Sequence, residues 1–447
     1  MSKYKRFSAR ASLAVVGIRM QQKGIWKTVE KHVQIKQKVI NHNPLDKLKD
    51  ARINILAGGQ GLVEINTRVR PDKGLQRAFE RESCAEQSVV SETINKCTEE
   101  TVEQMQQAMK EIHQIHSQSY GHNYEQQSLL LDVDMSGMPA GRQGEGVTKG
   151  YFPGQKNRRG RQLGRVIATL YDEIIAERLY SGKRQLDKSL PELVTAAIDV
   201  LGLVEEKRQQ TILRVDAGGG TDEDINWMLN QGFQVLVKVK NWKRSAKLAR
   251  SVATWYPDPK VEGREVGWVE EPHQYDRPTR QLAIRHQKDN GEWSYHVLVF
   301  TLNNDRIFWL ARQPVRNEPT SVLFAVLAAY DLRSGGIETS NKGSKQGLGL
   351  TKRNKRLFSA QEMLVLLAHL AYNLITWTRN TLASTDKQFA RFGVLRIVRD
   401  LFHIPGRIEL DAQGYVIQIA LRANQPGAPA VVQALSCDNL SLILDEI

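Results

Sequence analysis

The chain has 447 residues, with 63 Lys and Arg against 49 Asp and Glu, a net charge of +14. Hydrophobic residues make up 41% and charged residues 25%, a globular balance that excludes a disordered, collagen-like or low-complexity chain. Three scattered cysteines, Cys84, Cys97 and Cys437, with no C-x-x-C, exclude a disulfide framework, a zinc ribbon and a thioredoxin-like redox site.

The basic excess is clustered. Residues 1–40 carry ten Lys or Arg and one acid, Glu30. A second cluster is Lys156, Arg158, Arg159, Arg161 and Arg165, and a third is Lys342, Lys345, Lys352, Arg353, Lys355 and Arg356. One cluster reads as a solvated face; three in a basic chain point to phosphate contacts, which release counterions and weaken with salt. The apolar run Ala11 to Ile18 is followed by Arg19 with no small-residue cleavage site, so it is not read as a signal peptide. The best membrane candidate, Met363 to Ile375, is short and interrupted by His369, Tyr372 and Asn373. The expectation is therefore a cytoplasmic protein with no membrane partner, in a reducing compartment.

Residues 71 to 118 read as helical. Ser83 to Ile94 fits a helix-turn-helix with Gln87, Ser88 and Ser91 facing a groove, and equally an ordinary helical hairpin. Met105, Met109, Ile112 and Ile115 recur at helical steps and should share a packed face, leaving His113 and His116 solvated. Ser128 to Asp134 is a strand stopped by Met135-Ser136-Gly137. Its Asp132 and Asp134 are two apart, so they point to the same face. Gln162 to Thr169, Glu173 to Tyr180, Thr211 to Val215 and Phe233 to Val239 are further strands, with a helix over 191–201 and another capped by Thr221. This alternation predicts a mixed α/β core.

From Asn241 to Arg316 short aromatic and β-branched runs alternate with turns, predicting an antiparallel β insertion. Val297 to Phe300 and Ile307 to Leu310 read as a hairpin around Asn303-Asn304-Asp305. Helices return over 321–332 and 359–380. Ile408 to Leu410 and Tyr415 to Ile419 form a last hairpin. The expected organisation is a mainly helical N-terminal region (1–125), a core in two parts (126–240 and 319–400), the β-rich insertion (241–318) and a C-terminal hairpin and tail (401–447).

No P-loop, G-x-S-x-G or H-E-x-x-H is present, and Gly218 to Gly220 lacks the spacing of a dinucleotide loop. A carboxylate constellation remains. Asp134 and Asp216 each close a central strand, where α/β sheets expose functional groups. Glu338, just before the third basic cluster, is the best third member. Oxygen donors of this kind suit Mg²⁺ or Mn²⁺, two of which can act on a phosphodiester from both sides.

These residues resemble those of the DDE transposases of bacterial insertion sequences, in the branch whose ribonuclease H-like core is interrupted by a β-rich insertion. Leu129 to Asp134 resembles the strand of the first Asp, and Leu213 to Gly219 with Val235 to Lys238 the second. Tyr330, Arg333, Glu338 and Lys345 resemble the Y-R-E-K signature, and Tyr372 to Trp377 its following helix. The resemblance spans about residues 50 to 420. It implies an α/β, ribonuclease H-like mixed sheet with flanking helices and a helical N-terminal DNA-binding region. It further implies catalysis and binding of two Mg²⁺ (or Mn²⁺) ions by Asp134, Asp216 and Glu338, and phosphate contacts from Tyr330, Arg333, Lys345, Lys352 and Arg353. The implied partners are terminal inverted repeats and target DNA, with a homodimer in the synaptic complex and a bacterial, nucleoid-associated setting. Asp134 is preferred as first ligand because Met135-Ser136 follows it; Asp132 is a candidate supporting partner. The family usually has three residues between Arg and Glu. Here there are four, and Gly335-Gly336 is expected to absorb the extra one as a bulge or break. A non-cleaving or domesticated DNA-binding relative and a stand-alone metal-dependent nuclease remain alternatives.

Overall fold

The computed structural model describes residues 4–446 except 153, 156 and 317, so Lys156 of the second basic cluster lies outside the described residues. In chain order the strands are β1 (Tyr4–Ser8), β2 (Leu129–Pro139), β3 (Thr148–Lys149), β4 (Arg159–Ala168), β5 (Glu173–Ser181), β6 (Thr211–Val215) and β7 (Gln234–Lys238). They continue with β8 (Tyr256–Pro257), β9 (Arg264–Trp268), β10 (Arg280–Gln287), β11 (Trp293–Phe300), β12 (Gly406–Leu410), β13 (Val416–Arg422) and β14 (Ser441–Asp445).

Two compact units share the chain. One contains residues 118–138 and 148–340; the other contains 1–117, 139–147 and 341–447.

The first of these units is built on a ten-stranded sheet in the order β3-β4-β2-β6-β7-β11-β10-β9-β8, with β5 paired to β4. Strands β4 and β5 run antiparallel, and β2, β6 and β7 are parallel. The order β5-β4-β2-β6-β7 is the ribonuclease H-like arrangement. Its central strands are almost wholly apolar because both faces are covered. Leu190–Leu201, Asp222–Asn230 and Trp242–Ala249 pack on one face around Leu131, Val133, Leu213, Val215 and Val237. Asn304–Ala311 and Pro319–Asp331 cover the other around Leu130, Ile212, Leu236 and Leu298.

The β-rich stretch is not a separate layer. β11 pairs antiparallel with β7 through Leu298↔Lys238 to Phe300↔Leu236, so β8 to β11 extend the same sheet. The expected hairpin around Asn303 is a correction. Asn303 accepts a hydrogen bond from the Arg306 amide and caps the helix Asn304–Ala311, which contains Ile307 to Leu310. The hairpin here is β10–β11, turning at Asp289-Asn290-Gly291 with Gly291 at φ +81°.

In the other unit, the 28-residue helix Phe358–Thr385 is buried over most of its length and packs with helices Pro44–Leu56, Gln87–Asn95 and Glu99–His116. It is long and apolar enough to cross a membrane by composition, but its apolar surface faces protein. Ala11 to Ile18 form a buried helix, and β1-β12-β13-β14 make a four-stranded sheet that joins the N-terminus to the expected C-terminal hairpin. Ile115 is exposed, whereas His113, expected in solvent, is 3% exposed and completes the buried stripe of Met105, Met109 and Ile112.

Candidate active site

Two strands and one helix end place the acidic residues. Asp134 follows the buried run Leu129 to Val133, and Asp216 directly follows β6. Parallel pairing sets Val133 opposite Val215 as the last pair of β2 with β6, so Asp216 just past β6 and Asp134 within the longer β2 both follow the end of that pairing. Asp216 accepts a hydrogen bond from the Gly218 amide at 2.8 Å, which fixes its carboxylate on the turn that follows. Tight packing demands glycine in that turn: a Cβ on Gly220 would lie 1.9 Å from the Lys238 carbonyl.

The third acid arrives by way of helix Pro319–Asp331. Past its end the backbone forms a π turn over Ser334–Glu338. In an α-helix, residues five apart point about 140° away from each other. In a π turn they face alike. The extra residue between Arg333 and Glu338 is thereby absorbed, and Arg333 Nη1 lies 3.4 Å from Glu338 Oε1. Gly336 permits this close approach: a Cβ there would sit 2.8 Å from Thr169 Cγ2 and 2.9 Å from Asp132 Oδ2.

Arg333 is the centre of the constellation. It is 6% exposed, and its Nη2 donates to Asp134 Oδ1 at 2.8 Å and to the Val133 carbonyl at 3.4 Å. Burial alone would lower its pKa, but Asp134, Asp216 and Tyr330 together hold it above the ordinary arginine value. Burial pushes the Asp134 carboxyl up; Arg333 opposes that shift and the neighbouring Asp216 charge adds to it. Tyr330 is half-buried and its phenol is raised, first by burial. Its carbonyl accepts the Arg333 amide at 3.0 Å. Glu338 is the accessible acid, with 57% of its side chain exposed.

Asp132 stands behind this group. It is fully buried, accepts Arg214 Nε at 2.6 Å and Nη2 at 2.7 Å, and receives the Thr169 hydroxyl at 2.5 Å. Arg214 also reaches the Ala329 carbonyl, fastening the helix that leads to Arg333. Both carboxylate oxygens of Asp132 are thus engaged within the protein. Arg214 and Thr169 were not singled out from sequence, although an Arg inside Thr211-Ile212-Leu213-Arg214-Val215 calls for a buried acid. Register places that acid directly opposite, in the pair Asp132↔Arg214. Lys238 was likewise missed as a site residue. Burial lowers its pKa, and the Asp216 charge opposes that shift.

Lys345, Lys352 and Arg353 belong to the other unit. Lys345 is half-buried and Lys352 is exposed. Arg353 is 4% exposed, donates to the Gly59 carbonyl, and is lowered to about 10 by burial. Arg161 and Arg165 of the second cluster are buried too, Arg165 against Glu177. Of the suggested groove-facing residues, Ser91 is bonded by the Lys355 ammonium.

The donor set, three carboxylates of which Asp134 and Asp216 lie on neighbouring strands, is of the oxygen-donor type that suits a hard divalent cation. Asp134 and Asp216 repel each other, which a cation between them would relieve. Among the described residues no group of three acidic, His or Cys side chains is gathered closely enough to hold a metal as placed, and the Arg333 guanidinium supplies the positive charge at Asp134 and Glu338.

The family model described as transposase DDE domain, group 1, matches residues 5–437. No curated protein matches the chain. Among solved structures, the chain is similar to a piggyBac transposase synaptic complex with hairpin DNA, seen by cryo-EM. The identity is 10%, over 90% of this chain and 82% of that one, with a TM-score of 0.46.

Proposed function

The chain belongs to the DDE transposase family, and from that premise we propose that it cuts phosphodiester bonds at the terminal inverted repeats of its own element and joins the freed 3′ ends to target DNA. The observation that carries the reading is the bonding of Arg333 to both Asp134 and Glu338, beside Asp216, where the pairing of β2 with β6 ends. In this proposal Asp134, Asp216 and Glu338 are the residues that would hold two Mg²⁺ or Mn²⁺ ions, which when bound would activate the attacking oxygen and stabilise the leaving one.

The residues of the chain have separate tasks. Arg333 orients Asp134 and Glu338 and adds positive charge where a scissile phosphate gathers negative charge. The Gly218 amide keeps Asp216 aimed. Asp132 touches no substrate; through Arg214 it braces the strand end and the helix that carries Tyr330 and Arg333. Lys345 and Lys352 are assigned to DNA phosphates as point charges. Joining two DNA ends calls for a homodimer in the synaptic state, with the basic N-terminal region reading the repeats.

The test is a cleavage assay on DNA carrying the chain's own gene and its flanks, with and without Mg²⁺. Cuts at inverted repeats that need the metal and disappear in Glu338→Gln, while DNA binding persists, are expected. Binding without cleavage in either metal would refute the proposal and leave a non-cleaving DNA-binding relative. Cutting without strand joining would leave a nuclease.

A further inference from the structure

We propose that the small cavity where helices Ala11–Gln22, Ile25–His32 and Pro44–Leu56 meet is a binding site for a single chloride ion, held by the Arg52 guanidinium and the Trp26 indole N–H. The site lies wholly within residues 1–117 of one unit and is independent of the DNA reading.

The unmet donors carry the proposal. Arg52 lines the cavity and is 1% exposed, and its Nε and Nη1 are buried with no hydrogen-bond partner among the described residues. Trp26 also lines the cavity, and its Nε1 is likewise buried without a partner. Guanidinium and indole N–H groups only donate, so what both lack is an acceptor. Leaving such buried donors unmet is costly. The Arg52 guanidinium carbon lies 4.4 Å from the Trp26 ring centroid and 5.9 Å from that of Phe79. Stacking of this kind uses the flat faces of the guanidinium and leaves its N–H edge for a ligand.

Charge points the same way. Lys27, Lys49 and Arg52 line the cavity against one carboxylate, Glu80. The buried Lys49 ammonium stands 3.5 Å from Glu80 and 3.7 Å from Glu30, longer than a charge-assisted hydrogen bond. Both glutamate side chains are 44% exposed, so water shares them. Burial lowers the Arg52 pKa to about 9, with Glu80 and then Glu30 opposing.

Size selects the ion. The cavity has a volume of about 10 Å³, room for one atom-sized ligand and not for a phosphate or a carboxylate. A water among these three N–H donors would still have two hydrogens of its own to place, with Glu80 the one carboxylate of the lining. A chloride has none. The rim is open at Gly24, where a Cβ would meet nothing within 4 Å. Gly17 closes the opposite limit: a Cβ there would lie 2.7 Å from the Ala78 carbonyl and from the Phe79 ring.

The experiment is urea denaturation of the full chain at constant ionic strength, with sodium gluconate exchanged stepwise for sodium chloride. Gluconate is too large for the cavity. Wild type is compared with Arg52→Met and Trp26→Phe. One bound ion predicts that, past half-saturation, each tenfold rise in chloride lowers the unfolding constant about tenfold. Bromide should act as chloride does. Arg52→Met should lose the dependence yet stay folded in gluconate, because an apolar group of similar length replaces a buried charge. Trp26→Phe keeps a ring, removes the N–H, and should need several-fold more chloride for the same effect. A wild-type chain equally stable in chloride and gluconate overturns the proposal and leaves the cavity to water. A dependence that survives unchanged in Arg52→Met overturns it too, since the ion then binds elsewhere. Should Arg52→Met fail to fold, an unchanged half-effect concentration in Trp26→Phe overturns it. None of these readings involves DNA, so the proposed function stands or falls separately.

Discussion

Removing Gly335 tests the π turn that brings Arg333 and Glu338 together. In the chain as it stands, the two residues are five apart and lie 3.4 Å from each other across the turn. Deletion makes them four apart, and in a regular α-helix four steps amount to about 400°, an offset of about 40°. That spacing still lets an Arg and a Glu meet. Little packing is lost, because Gly335 is exposed and a Cβ there would have no neighbour within 4 Å. A glycine inside a helix costs about 1 kcal/mol relative to alanine, so the shortened helix should be as stable as the parent or slightly more so. The Arg333–Glu338 pair, with its glutamate largely exposed, contributes at most about 1 kcal/mol and does not change that sign. The expected outcome is cleavage within about tenfold of the parent, equivalent to about 1.4 kcal/mol in the barrier. Inserting an alanine after Gly335 makes the residues six apart, about 240° around an ideal helix, and should abolish cleavage. Melting curves and the metal-dependent cleavage assay are run on both variants. Activity of the deletion as low as that of Glu338→Gln, in a folded protein, would refute the argument that the turn exists to absorb one residue.

Three further outcomes follow from the same geometry. Gly336→Ala forces a methyl into Thr169 and Asp132 and should cost about 1–3 kcal/mol in chemical denaturation, against almost nothing for Gly335→Ala; equal costs would contradict the packing described. Asp132→Asn leaves the Arg214 charge buried without its partner and should cost about 3–5 kcal/mol, so its main defect is in folding; full stability with a catalytic defect alone would make Asp132 a ligand instead. Burial pushes His113 down to about 3 from the usual 6.5, so the folded state holds fewer protons than the unfolded state between those values. Its contribution is complete above pH 6.5 and fades as pH falls, at up to about 1.4 kcal/mol per pH unit, and His113→Leu should show a shallower acid slope; parallel slopes would place His113 in solvent.

The core was largely legible because its strands are short apolar runs closed by Asp, Gly or Pro, and β2, β4, β5, β6 and β7 formed close to the expected positions. Asp216 was legible for the same reason: a charge after a run of apolar residues marks where β6 leaves the core, whereas β2 runs on past Asp134 to Pro139. The π turn was legible only as one residue too many. Two kinds of signal misled. Ile307-Phe308-Trp309-Leu310 is an apolar run too short to separate strand from helix by period, and Asn303 serves as a helix cap as readily as a turn former. Arg161, Arg165 and Arg353 read as surface cations because what receives them, Glu177 for Arg165 and the Gly59 carbonyl for Arg353, is set by tertiary structure. The pairing of β11 with β7 was invisible for a related reason, since nothing local in Val297 to Phe300 states which edge it will join.

That pairing bears on the order in which the chain is made. When synthesis has passed Lys240, β7 is complete but its partner β11 is more than fifty residues away. Until β11 arrives, Gln234–Lys238 presents a bare, apolar edge of a parallel sheet, a template for pairing with another unfinished chain. β11 therefore acts as an internal lid on a nascent hazard. A chimera that exchanges 241–300 with a relative's stretch will stay soluble only if it returns a strand equivalent to β11 to that edge, and fragments ending near 240 should aggregate, whatever chemistry they have been designed to keep.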